Sequence, residues 1–127
     1  MNILRPTDIE DEIRKALADY FTVYVRPLPK NFTVPSLLIT ATGGTTANTV
    51  DTFTVTIDAR AETDAEADAL IRNAIGVLEY QTSQQVGALR SVELNALANW
   101  RTDPVRPELK MQSATFLVVA NREQITL

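Results

Sequence analysis

The first candidate for chemistry is a short segment rich in glycine and threonine, in which Gly43, Gly44, Thr45 and Thr46 stand together. A loop that cradles phosphate needs a helix starting directly after it and a lysine at a fixed spacing. The residues that follow provide neither. The segment therefore indicates the projecting tip of a β-hairpin over residues 43–50, which is too long for a tight turn.

Carboxylates are the second candidate. Asp64 and Asp68 lie one helical turn apart, and with Asp58 or Glu62 they offer the oxygen ligands that a divalent cation prefers. No dense carboxylate loop frames them, so a solvated helix face is the favoured interpretation. Acid and base catalysis by a carboxylate pair needs a concave site, and the sequence marks none.

Nucleophilic catalysis lacks its usual residues. The chain contains no cysteine and no histidine, which excludes thiol nucleophiles, imidazole bases, and zinc or haem sites built on these side chains. Its serines stand outside the Gly-x-Ser-x-Gly pattern and have no histidine to activate them. We therefore predict a protein that is not an enzyme and that uses no metal or cofactor.

A basic and aromatic segment is the fourth candidate. Trp100 and Arg101 are followed by Arg106 and Lys110, with prolines at positions 104 and 107. Such a segment suits contact with phosphates or with a protein partner. The alternative is an ordinary exposed loop in which Trp100 packs as an anchor.

Length and composition limit the class of protein that carries these residues. The chain has 127 residues, of which 45% are apolar and 22% charged, and this fits one domain over residues 1–127. No apolar run approaches the roughly 20 residues of a membrane-spanning helix, and residues 1–6 lack the apolar stretch of a secretion signal. The formal net charge of −4 disfavours a dedicated nucleic-acid binder.

Two helices are predicted from capping and periodicity. Residues 7–10 have capping-box spacing and open an apolar face that continues to Tyr20, which predicts a helix over residues 7–19. Residues 63–66 repeat the capping-box spacing before an uninterrupted helical period, which predicts a second helix over residues 64–80.

The strands follow from β-branched content and alternation. Residues 22–26 predict a short edge strand, residues 36–42 a central strand, and residues 52–60 a strand with one buried and one wet face. Residues 86–94 suit a strand, although a helix remains open, and residues 115–120 predict the last strand. Residues 99–109 are predicted as a loop or irregular segment, and residues 125–127 as a short tail.

Grouped strands favour an α+β domain over alternating βαβ units. We expect a single domain with a mainly antiparallel or mixed sheet of four to five strands, and two amphipathic helices packed on one of its faces. The other face then meets water or another subunit.

The order of these segments resembles a known family. A first helix over residues 8–19 precedes Val23-Tyr24-Val25-Arg26, and Pro35 to Gly44 forms the next strand. Thr54 to Ala61 leads into a helix that opens with Thr63-Asp64-Ala65-Glu66-Ala67. With the late proline-containing loop and the strand at residues 115–120, this pattern resembles the tail terminator proteins of long-tailed bacteriophages over roughly residues 5–122.

The resemblance implies a structural protein of the virion. Such proteins form a homo-hexameric ring on the finished tail tube, end tube polymerisation and join the tail to head-side neck or connector proteins. It also implies synthesis in the host cytoplasm, a place at the head–tail junction, and contact with genomic DNA only as it passes through the channel. No cofactor or membrane is involved.

The surfaces expected to meet partners are the hairpin tip over residues 43–50, the irregular segment over residues 100–110 and the outer strand face. Their candidate interface residues are Gly44, Thr45, Asn48, Thr54, Trp100, Arg101 and Arg106. Ring closure needs two different patches on each subunit. The alternatives are another ring-forming tail or neck component, namely a tail-tube subunit or a head-side connector, and a small adaptor module.

Overall fold

Both helices begin at side chains that cap them. In the computed structural model, which describes residues 1–47 and 50–127, α1 runs Ile9–Leu17 and α2 runs Asp64–Ser83. The N-cap of α1 is Asp8, whose carboxylate accepts from the Asp11 backbone N–H, so the helix begins two residues later than predicted. It also ends two residues earlier than predicted, at Leu17. Thr63 caps α2: its hydroxyl accepts from the Glu66 backbone N–H and donates to the Glu66 carboxylate, which confirms the predicted helix start.

The strands form two separate sheets. In chain order they are β1 Asn2–Arg5, β2 Val23–Val25, β3 Ser36–Ala47, β4 Val50–Ala61, β5 Leu89–Thr102, β6 Lys110–Asn121 and β7 Glu123–Thr126. Among the described residues, five of these strands make a mixed sheet in the order β2-β3-β4-β6-β5, in which β2 and β3 are parallel and the other neighbours antiparallel. The chain ends pair separately, as an antiparallel ribbon of β1 and β7.

The core lies between one face of the five-stranded sheet and the two helices. Alternate residues of β4, such as Val55 and Ile57, are buried against Ile13 of α1 and Ile71 of α2. Phe116 of β6 stands opposite Val55 and is also fully buried. This arrangement confirms the expected α+β class, the mixed sheet and the placement of both helices on one face.

The structure corrects several strand boundaries. β3 and β4 stay paired as far as Ala47 and Val50, so the region predicted as a long hairpin tip is mostly extended sheet. Residues 99–102 belong to β5 rather than to a loop, because they pair with residues 110–113 of β6. Neither β1 nor β7 was predicted from the sequence. Each has only four residues and pairs with the other across the length of the chain, so no local pattern indicates them.

The outer face of β4 is less wet than its alternation predicts. Thr54, Thr56 and Asp58 are half-buried, and Arg60 is buried. Arg60 is covered by residues of the two loops that follow β2 and β5, namely Phe32 and Asp103.

Candidate interaction surfaces

The paired outer parts of β3 and β4, residues 43–47 and 50–54, form an extension that we call the arm. A one-residue irregularity at Thr42 separates it from the body of the sheet. Gly43 has a φ of +131°, a backbone conformation that residues with a side chain rarely adopt. A β-carbon on Gly44 would collide with the carbonyl oxygen of Thr52. Two glycines are therefore required where the arm leaves the sheet.

The arm contains three of the predicted interface residues. Gly44 and Thr45 are exposed on β3, and Thr54 is half-buried on β4 at the base of the arm. Asn48 lies outside the described residues. The arm therefore presents backbone and hydroxyl groups, with no charged side chain on its β3 strand.

A buried carboxylate fixes the arm to the rest of the molecule. Asp51 accepts a hydrogen bond from Thr46 Oγ1 at 2.7 Å and two from the Arg122 guanidinium at 3.2 Å. The Arg122 hydrogen bonds, followed by that of Thr46, hold the pKa of Asp51 below its ordinary value. Arg122 lies between β6 and β7, so this contact joins the arm to the start of the terminal ribbon.

The edge strand β5 presents exposed apolar side chains. Its pairing with β6 contains three irregularities, between Leu89 and Ser91, Leu94 and Ala96, and Ala96 and Asn99. Leu97 is 77% exposed and Trp100 is 53% exposed. Trp100 is therefore a surface side chain rather than the packed anchor that the alternative interpretation required.

The two predicted arginines lie on different parts of this region. Arg101 is exposed and opposes Met111 in the sheet, which places it on the face away from the helices. Within the described residues no carboxylate lies within ion-pair distance of it. Arg106 is half-buried in the loop over residues 103–109, where it contacts Glu108 at 3.1 Å and its guanidinium lies 5.3 Å from the centre of the Phe32 ring.

A buried ion pair orders this loop. Asp103 is fully buried and accepts a hydrogen bond from Arg60 Nε at 2.7 Å. It also accepts from the backbone N–H groups of Val105, at 2.9 Å, and Arg106, at 3.3 Å. The Arg60 guanidinium lies 5.7 Å from the centre of the buried Phe32 ring. Phe32 belongs to the loop between β2 and β3, at the sheet edge opposite β5. These residues, Phe32, Arg60, Asp103 and Arg106, form the Asp103 cluster.

The hydrogen bonds in this cluster outweigh the effect of burial on the carboxylate. Burial alone is the largest influence and raises the pKa of Asp103. The hydrogen bonds from Val105, Arg60 and Arg106 act together in the opposite direction and hold the pKa below its ordinary value. Asp103 is therefore a charged partner of Arg60 at neutral pH.

A broad cleft with both polar and apolar walls lies beside the cluster on the open face of the sheet, with a volume of about 490 Å³. Its walls include Thr40, Thr56 and Asp58 from the strands and Arg101 from β5. Asp58 is engaged by the Ser113 hydroxyl. The cleft is rich in hydroxyl groups, which suits polar contact with another macromolecule.

The predicted interface residues fall into two groups rather than one site. Gly44 and Thr45 lie at the arm end of β3, whereas Trp100, Arg101 and Arg106 lie at the opposite end of the sheet and on its far edge. Sequence reasoning missed Phe32, Asp103 and the burial of Arg60. Only the flanking proline-containing loops signal that these residues come together.

The carboxylates considered as metal ligands are separated. Asp68 pairs with Arg72 at 2.8 Å, and Asp58 is on the opposite side of the sheet from α2. Within residues 1–47 and 50–127, no three acidic side chains lie close enough to hold a metal ion.

Neither helix in the part of the chain that the structure describes is long and apolar enough to cross a membrane. In comparisons with known proteins, the sequence matches no protein-family model and no curated protein.

Proposed function

We propose that this chain is a structural protein of long-tailed bacteriophages that assembles as a homo-hexameric ring on the tail tube. In this role it ends tube polymerisation and joins the tail to the neck or connector proteins of the head. The proposal rests on the resemblance of the segment order to tail terminators.

The observation that carries the proposal is the exposed apolar surface at one end of the sheet. Leu97, Trp100 and Val105 are 77%, 53% and 67% exposed. Exposed large apolar side chains are typical of protein contact sites, and tryptophan is enriched among the residues that dominate such contacts. This end of the sheet is thus suited to meet another protein.

The distribution of surfaces also supports a ring. The arm and the Trp100 end lie at different ends and on different edges of one sheet. Two dissimilar patches on one subunit make a head-to-tail contact, which closes into a ring when the rotation per subunit divides a full turn. A self-complementary dimer, in contrast, needs only one patch.

Electron microscopy of lysates tests the function. Disruption of the gene in the source virus should give overlong tail tubes beside tailless heads. Complementation with the wild-type gene should restore normal particles, and Trp100→Ser should fail to do so. The matched control is Tyr80→Ser, because Tyr80 is an aromatic side chain of similar exposure, 61%, near the end of α2.

Other phenotypes distinguish the alternatives. Absence of tubes indicates a tube subunit, and unattached tails of normal length indicate a head-side connector. Intact infectious particles would refute a structural role.

A further inference from the structure

We infer that the cleft on the open face of the sheet binds a carboxylate between Arg60 and Arg101, and that an acidic side chain of a partner protein supplies it. The protein source of this carboxylate rests on the proposed contact at the same end of the sheet. The inference adds to that contact the chemistry of the partner.

Arg60 presents unused hydrogen-bond donors to the cleft. Its side chain is only 6% exposed, and its Nε donates to Asp103 at 2.7 Å. Among residues 1–47 and 50–127, neither of its two terminal nitrogens is hydrogen-bonded to the protein. No fully buried side-chain nitrogen in that part of the chain lacks a partner, so these nitrogens reach the cleft that Arg60 lines. Four of the five N–H donors of this guanidinium are therefore free for a ligand.

Arg101 reaches the same cleft from the edge strand β5. Arg60 and Arg101 both stand opposite Met111 in one cross-strand row, so all three side chains lie on the same face of the sheet. The two arginines are two strand spacings apart, about 10 Å between their Cα atoms. Within the described residues no carboxylate lies within ion-pair distance of Arg101. Two guanidinium groups thus flank the space above Met111.

The other polar groups of the cleft favour a carboxylate over a phosphate. Guanidinium groups bind either anion through paired hydrogen bonds, and the opposed Thr40 and Thr56 add hydroxyl donors. Asp58 also lines the cleft, on the same face of β4 as Arg60. Its negative charge opposes a doubly charged phosphate more strongly than a singly charged carboxylate. An anion of charge −1 therefore fits this site best.

The surroundings of the cleft favour a protein as the source of the carboxylate. Its volume of about 490 Å³ is far larger than one carboxylate needs. Pro104 forms one wall, and the next residue, Val105, is 67% exposed. Apolar surface bordered by polar groups is typical of protein interfaces. A partner that covers Val105 is thus placed to insert an aspartate or glutamate side chain into the cleft.

NMR titration of the isotope-labelled protein tests the site. The probe is the blocked tripeptide acetyl-Gly-Glu-Gly-amide, and its control is the same peptide with glutamine, which has the same shape and no charge. The glutamate peptide should shift the Nε–H signals of Arg60 and Arg101. The glutamine peptide should bind about tenfold more weakly, because hydrogen bonds between charged groups are stronger than those to a neutral amide. Equal binding of the two peptides would overturn the inference.

Variants of the protein identify the groups responsible. Arg101→Gln should weaken binding of the glutamate peptide about tenfold and leave the melting temperature unchanged, since Arg101 is exposed. The matched control is Arg72→Gln, which changes an exposed arginine of α2 outside the cleft and should not affect binding. Asp58→Asn should strengthen binding, because it removes the opposing charge while its amide oxygen still accepts from Ser113. An equal loss of binding in Arg72→Gln and Arg101→Gln would contradict the site.

Two further ligands separate the alternative occupants. Inorganic phosphate that binds more tightly than the glutamate peptide would overturn the choice of a carboxylate. Acetate that binds where the peptide does not would show a site for a small free carboxylate rather than for a protein side chain.

The outcomes also separate this inference from the proposed function. If the glutamate peptide does not bind at about 100 mM and disruption of the gene still gives overlong tails, the inference fails and the proposed function stands. If the peptide binds and Arg101→Gln weakens it, but particles without the gene are intact, the carboxylate site stands and the proposed function fails.

Discussion

Removal of Arg60 should destabilise the protein far more than removal of an exposed arginine. Arg60→Met keeps much of the aliphatic stem but leaves the Asp103 carboxylate buried without a cation. Loss of one partner of a buried ion pair typically costs about 3–5 kcal/mol. The two backbone N–H groups that remain on Asp103 favour the lower part of this range.

This loss is large for a domain of this size. Globular proteins unfold with an entropy of about 2.1 cal/mol/K per residue near 60 °C, so 127 residues correspond to about 0.27 kcal/mol/K. A cost of about 3–5 kcal/mol therefore lowers the melting temperature by about 11–19 °C. Since small domains are stable by about 5–15 kcal/mol, the variant should still be mostly folded at 25 °C unless the wild-type protein lies near the lower end of that range.

Thermal and urea unfolding followed by circular dichroism measure the effect. The matched control is Arg72→Met, which removes an exposed pair with Asp68 and should cost less than about 0.5 kcal/mol. Asp103→Asn should also be destabilising, because its amide N–H groups face the Arg60 donor. The double variant should lose at least about 1 kcal/mol less than the sum of the two single losses.

Two results would refute this reasoning. If Arg60→Met costs less than about 1 kcal/mol, the carboxylate is not held in a dry site. If the two single losses are strictly additive, the side chains do not interact in solution.

Three further predictions concern other residues. Hydrogen bonds hold the pKa of Asp103 below its ordinary value, so the contribution of this carboxylate to stability is present above about pH 4 and is lost as the pH falls through the lowered pKa. The free energy of unfolding should therefore decline less in acid for Asp103→Asn than for the wild-type protein. Gly44→Ala should lower the free energy of unfolding in urea by more than about 1 kcal/mol, because the new methyl group meets the Thr52 carbonyl. Gly76→Ala in α2 meets open space and should raise the free energy of unfolding by about 0.5–1 kcal/mol, so equal effects of the two changes would contradict the close approach at Gly44. Trp100→Ser removes a side chain that is 53% exposed and so about half buried, which should cost on the order of 1–3 kcal/mol in urea unfolding, and the folded variant should also show a lower mass by light scattering. An intact ring would show that Trp100 is not at the interface.

Sequence alone predicted the elements whose signals are local. The capping box at Thr63 and the helical period after it located α2, and the alternation from Phe53 to Ala59 located the buried face of β4. These features succeed because the side chains that specify them are neighbours in the chain.

The remaining features depend on residues distant in sequence. Trp100 and Arg101 have neighbours typical of a loop, but pairing with β6 extends the strand through them. Arg60 and Asp103 are 43 residues apart, so no local pattern indicates their ion pair. Gly43 and Gly44 are typical of a turn, and for this reason the sequence predicts a long hairpin tip over residues 43–50. In the structure these glycines instead allow an irregularity within a continuing strand.

The terminal ribbon has a consequence for the order of folding. Its strands join residues at the two ends of the chain, with Asn2 opposite Thr126 and the Met1 amino group donating to the Leu127 carbonyl across 126 positions. Closing so long a loop costs entropy that short-range contacts avoid, and a ribbon of two four-residue strands gives little energy in return. We therefore expect the ribbon to form after the helices and the main sheet, and we expect its amide protons to exchange with solvent before those of the core.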